Sequence, residues 1–179
     1  MNRTQHICRM AEYNRQMNAN VYEAAGKLSP DALRAHRGAF FGSILGTLNH
    51  LIVADTLWLS RFAGHPANHL ALAPVHVLSV PTSLDQIICT ELQGLAQRRN
   101  LLDQIIIDWS KSLLELDLEH ILVYTNIKGL RAQKNFFSLV MHFFNHQTHH
   151  RGQTSTLLMQ TSIDVGITDL LVLIPDECL

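Results

Sequence analysis

From Phe40 to Phe62 the chain reads FFGSILGTLNHLIVADTLWLSRF, which is apolar around most of a helical circumference. A helix of that kind is buried on more than one side, so the rest of the fold has to surround it. Three other stretches carry helical spacing. The first runs from about Thr4 to Lys27, with Ile7, Met10, Ala11, Asn14, Met17, Val21 and Ala24 recurring at helical intervals. After Pro81, Ser83-Leu84-Asp85-Gln86 has the pattern of a capping box and predicts a helix opening there and continuing through Arg98, Leu102 and Ile106 toward Leu113. The last spans about Asn135 to Gln160. Four long amphipathic helices in one chain predict an all-α fold, a four-helix bundle.

The connections are of three kinds. Ser29-Pro30-Asp31 is a cap followed by proline at the first helical position, so a short connecting helix is expected through about His36. From Ala63 to Pro81 three prolines, Gly64 and three histidines interrupt any period, which reads as a long loop over one end of the bundle. From His120 to Asn135, β-branched and aromatic residues flank Lys128-Gly129, the pattern of a small hairpin or an extended crossover between the third and fourth long helices. The tail from Ser162 is apolar enough to pack back on the bundle, without a period that assigns it to helix or strand.

Length and charge narrow the function. A chain of 179 residues with 47% hydrophobic and 16% charged residues suits one domain over residues 1–179. The formal charge of −1, with no dense basic block, leaves little counterion release to drive binding, so no nucleic-acid partner is expected. A near-neutral surface leaves room for a homodimer packed through an apolar helix face. No stretch has the roughly 18 charge-free apolar residues of a spanning helix, so no membrane association is expected. Cys8, Cys89 and Cys178 are too few and too scattered for a disulfide framework or a CxxC knuckle, which suits a reducing cytoplasm.

Histidine departs from ordinary usage: there are eleven, and four lie between His142 and His150. Four residues advance a helix by about 400°, so His146 and His150 sit about 40° apart on one face. Two imidazoles in that relation can grip one metal ion, as in the HExxH proteases, but Gln147 stands where the general-base Glu would be. His142 precedes His146 by the same step. The mid-helix Gly152, which suggests close approach or ligand access near His150, favours the later pair. One helix rarely supplies three ligands, so the third should come from a neighbour. His50, between Leu48 and Leu51 on the second long helix, is the best candidate, because an unpartnered imidazole is costly to bury there. The competing reading is a core histidine hydrogen-bonded to Asn145 or Gln153.

NHQTHHRGQ (145–153), together with GTLNHLIVADTLWLSRF (46–62), resembles the DinB/YfiT-like family of bacterial proteins. AEYNRQMNANVYEAAGKL near the start and GITDLLVLIPDE near the end extend the resemblance over nearly the whole chain. The resemblance implies an up-down-down-up bundle, often dimeric. It also implies a divalent metal, usually zinc or nickel, bound by one histidine of the second helix and two of the fourth. Those positions are His50, His146 and His150 here. It further implies either a metal-dependent hydrolase or a transferase acting on a small-molecule substrate with a low-molecular-weight thiol.

Three imidazoles leave a coordination position open, the arrangement of catalytic rather than structural zinc. Lewis acidity there can acidify water for hydrolysis or hold a thiol as thiolate for transfer. The alternative is a non-catalytic stress-response bundle in which a metal staples two helices together. Asp55, about 140° around the helix from His50, is poorly aimed as a general base. His149 and Arg151 are candidate substrate or supporting residues, with surface and packing roles at least as expected, and Trp58, Phe143 and Phe144 are expected in the core.

Overall fold

The computed structural model describes residues 1–176; Cys178 lies outside them. It is mostly helical, with one small antiparallel sheet. Helix α1 (Arg3–Ala25) opens on Asn2, whose side chain accepts from the Gln5 N–H while the Gln5 side chain accepts from the Asn2 N–H. These bonds satisfy two of the unpaired groups at a helix start. The short α2 (Pro30–Arg34) follows the cap at Ser29. Three more long helices complete the frame: α3 (Ile44–Phe62), α4 (Leu92–Ser112) and α5 (Phe136–Met159). Helix α1 packs against α4 and α5, and α3 packs against the same pair. Between them Phe62, Trp109, Phe136 and Phe143 form an interlocked aromatic core, with Phe62 stacked on Trp109 and edge-on to the two phenylalanines.

Helix α3 begins at Ile44 rather than Phe40. Gly42 has φ +76°, a conformation in which a helix cannot continue, and it closes a tight turn by donating to the Ala39 carbonyl. Ser43 then caps the helix by accepting from the Gly46 N–H. Phe40 and Phe41 are thereby left outside the helix, and this matters for the site.

Helix α4 begins at Leu92, not at Ser83. In place of a capping box, Gln86 accepts from the Thr82 backbone, and residues 83–91 run as a strap across α3. Asn49 holds that strap. Its fully buried amide oxygen accepts from the Ile88 and Cys89 N–H groups, and its NH₂ donates to the Cys89 and Leu45 carbonyls. A buried side chain that satisfies three backbone groups of the strap outweighs a local capping signal, because leaving such groups unpaired is expensive.

The span from Ala63 to Pro81, expected as loop, contains a 3₁₀ helix, Leu70–Val77, which drives Leu72 and Val75 into the core. The expected hairpin is present as β1 (Ile121–Thr125) and β2 (Arg131–Asn135), with Ile121 opposite Asn135 and Thr125 opposite Arg131. Its tip is stiffened by Asn126, whose side chain accepts from the Lys128 and Leu130 N–H groups, and by Gly129 at φ +77°. The tail forms a short 3₁₀ turn, Leu170–Leu173, beside α1, and Tyr13 donates its hydroxyl proton to the Thr168 carbonyl at 2.6 Å. Among the described residues no helix is long and apolar enough to cross a membrane.

A buried polar network ties all four long helices together. Asp55 on α3 accepts from Arg99 on α4 at 2.5 Å and from Gln147 on α5 at 2.9 Å. Arg99 also pairs with Asp103 at 3.0 Å, and Asp103 accepts from Asn14 and Asn18 on α1. Arg151 on α5 donates to Asn14. The two carboxylates and two guanidinium groups balance, which is the condition under which charges survive burial.

Candidate metal centre

His50 sits one residue beyond Asn49, so the strap that Asn49 pins also meets the imidazole. The His50 Nδ1–H donates to the Leu84 carbonyl at 2.8 Å. That bond fixes the tautomer and leaves the Nε2 lone pair free. On α5, His150 Nδ1 lies 2.8 Å from the Gln153 side-chain oxygen, an acceptor, which fixes the same tautomer. Gln153 is in turn oriented by its NH₂ group, 3.1 Å from the ring of His149. The inner two rings thus have the support typical of metal-binding histidines, in which the far nitrogen is tied to an oxygen.

His146 completes the group. Ring nitrogens of His50, His146 and His150 lie within 4.8 Å of one another, and the two Nε2 atoms of His50 and His146 are 3.3 Å apart. Two nitrogens at about 2.0–2.1 Å from a tetrahedral ion stand about 3.3 Å apart, so this pair has the separation that one ion would span. Burial and the neighbouring imidazoles push His146 down to about 3, while burial takes His150 down to about 4 against the opposing pull of Gln153. Burial also lowers His50. All three are neutral at pH 7, the state in which imidazole ligates.

Phe41 closes one side. Freed by the turn at Gly42, its ring stacks on His50 with centroids 3.7 Å apart and meets His150 edge-on at 5.6 Å. Its position depends on Gly46, because a Cβ there would stand 2.1 Å from the Phe41 carbonyl oxygen. Gly46→Ala is therefore expected to lower the melting temperature by the cost of a backbone shift, about 1–3 kcal/mol, against the roughly 1 kcal/mol that alanine gains in a helix. Thermal unfolding checks this, and an unchanged or raised midpoint would mean that the Phe41 turn yields freely.

The opposite side is open. A cleft of about 250 Å³ borders His50 and His146, walled by Trp58, Leu84, His142 and the hairpin tip at Lys128. His142 and Trp58 face each other edge-on at 5.1 Å. Trp58, expected in the core, is thus a cleft wall, whereas Phe143 and Phe144 are core residues as expected. Asp55 points away, into the buried network. Arg151 is buried there too, beside Tyr13 and Asn14, and does not reach the cleft.

The sequence reading missed Phe41, the Leu84 carbonyl and Arg61, which also lines the cleft. Gly42 and Gly46 were the available signals for Phe41, whereas a backbone carbonyl on a strap leaves no signature in residue type. A second cluster, His65, His69 and Asp117, was also passed over as loop. His65 donates from Nε2 to the Asp117 carbonyl and accepts at Nδ1 from Ala67, and the Asp117 carboxylate accepts from the Leu114 N–H, whereas the buried His69 Nε2 lies 3.9 Å from that carboxylate without a hydrogen-bond partner among the described residues. With both His65 nitrogens engaged, the cluster anchors the loop.

A helical frame that gathers three neutral imidazoles from two helices at the edge of a cleft, two of them held in place through the far nitrogen, defines a protein with a candidate divalent-metal site. The DinB family profile matches residues 1–175, and the chain belongs to that family. Comparison with curated proteins and with solved structures returned no match.

Proposed function

We propose that this protein is a divalent-metal-dependent enzyme acting on a small molecule, with zinc or nickel held by His50, His146 and His150. The observation that carries the reading is the cleft: a group whose only task was to staple α3 to α5 would have no use for a cavity of about 250 Å³ along His50 and His146. A bound ion would supply Lewis acidity at that edge. The chain's own residues supply the rest. Leu84 and Gln153 hold two of the rings, Phe41 keeps water from the face of His50, and His142 offers a neutral ring nitrogen to a proton in the cleft.

Among the described residues no carboxylate lines this cleft. Hydrolysis needs a strong base or a large drop in the pKa of water, whereas a thiol starts near 8.5 and needs little help to ionise. The cleft therefore favours transfer by a low-molecular-weight thiol over hydrolysis. Metal-loaded protein is expected to accelerate attack of such a thiol on a small electrophile, with chelator and His146→Ala each abolishing the acceleration. A screen of thiol acceptors and simple esters with no metal-dependent turnover, alongside a melting temperature that falls on chelation, would instead support the helix-stapling role.

A further inference from the structure

Arg61 ends α3 on the wall of the same cleft. Its guanidinium carbon lies 4.6 Å from the Trp58 ring centroid and 5.2 Å from that of Tyr124. Stacking of this kind occupies the flat faces of the guanidinium and leaves its N–H edge free. Among the described residues, that edge has no hydrogen-bond or ion-pair partner, and the charged or ionisable group that bears on it is the Tyr124 phenol. The other buried arginines of the fold are treated differently: Arg99 and Arg151 are each tied into the polar network. Half-burial already works against the Arg61 charge, lowering it from its ordinary value. An arginine kept there without a carboxylate, its orientation fixed by two aromatic rings, is a preformed receptor for a planar or tetrahedral oxyanion.

The surroundings agree in sign. Lys128 projects from the stiff hairpin tip into the lining, the histidines are neutral, and among the described residues no acidic side chain borders the cleft. A low-dielectric cleft carrying only positive charge concentrates anions. Between the cationic end and the three-histidine end the wall is apolar, formed by Ala54, Leu57 and Trp58.

We infer that the cleft binds a small organic anion, its carboxylate or phosphate held by the N–H edge of Arg61 and its apolar body lying along Leu57 and Trp58 toward the histidines. This deepens the reading of the cleft as a substrate site by naming the substrate's charge and the residue that selects it, and it makes Arg61 a specificity residue.

The test uses fluorine NMR on the full chain, zinc-loaded and chelator-treated, with 4-fluorobenzoate and 4-fluorophenylphosphonate as probes and 4-fluorobenzamide as the neutral control. At least one anion is expected to bind wild type at least tenfold more tightly than the amide, and the two anions separate carboxylate from phosphate recognition. Arg61→Gln is expected to remove that preference in both preparations, and Arg61→Lys to retain part of it. Arg61→Met, which keeps apolar packing on Trp58 and Tyr124, replaces the glutamine variant if the latter does not fold. A preference that survives loss of the guanidinium, a wild type with no anion preference, or a preference that vanishes on metal removal alone would each overturn the inference. In that last case the anion would be sitting on the metal. Conversely, if the chain takes up no zinc but the Arg61-dependent preference persists, the inference stands and the metal reading falls.

Discussion

Untagged protein is expected to retain about one equivalent of a divalent metal, and His50→Ala, His146→Ala and His150→Ala are each expected to lose it. The stoichiometry follows from the two clusters: one brings ring nitrogens of three histidines together with the far nitrogens of His50 and His150 tied off, and the other has both His65 nitrogens in use. His65→Ala should therefore leave the metal content unchanged. The loss should be graded. Residues that orient a ligand ring typically contribute about 10–100-fold to metal affinity, so Gln153→Ala should weaken binding by that range and each histidine variant by more. Elemental analysis and competition with a chelator measure both, and elemental analysis also identifies the ion. Retention of metal by all three histidine variants would remove the assignment.

The parts of this protein that were legible in its sequence are those set by local periodicity. The i, i+4 step of His146 and His150 needed only helix geometry, and the apolar circumference of 40–62 showed a helix, α3, covered on more than one side. The hairpin showed in its β-branched flanks and Lys128-Gly129 tip. What escaped were elements decided by contacts distant in sequence. Ser83-x-x-Gln86 is a genuine capping pattern, yet Asn49 and His50 claim the backbone of residues 84–89 and hold it out of the helix. The same contact gives His50 its tautomer, so the error about where α4 begins and the missing partner of His50 had one cause. Arg151 was misplaced for a related reason. Beside a histidine cluster it looked available to a substrate, but position 151 faces α1, where Asn14 can accept from it only in the folded bundle.

Arg99→Met is expected to destabilise the protein by about 3–5 kcal/mol, since removing one partner of a buried ion pair strands the other. Here two are stranded. Arg99 lies between Asp55 and Asp103, at 2.5 and 3.0 Å, with all three side chains almost fully buried. The pH dependence separates this from a simple packing defect. Burial already pushes the Asp103 carboxyl up, and Arg99 is the strongest influence opposing it. Without the guanidinium the folded-state value rises further above that of the unfolded chain, so the folded state holds a proton that the unfolded state releases. A carboxyl raised in this way contributes less stability as pH rises, and recovers it as pH falls. The variant's deficit relative to wild type should therefore shrink between pH 7.5 and pH 5. The buried histidines act in the opposite sense, since their lowered values make acid favour unfolding below about 6.5. That contribution is common to both proteins and cancels in the difference. Urea unfolding of chelator-treated wild type and variant at the two pH values measures it with metal linkage removed. A deficit of constant size would mean that Arg99 acts through volume alone, and that Asp103 does not depend on it for its charge.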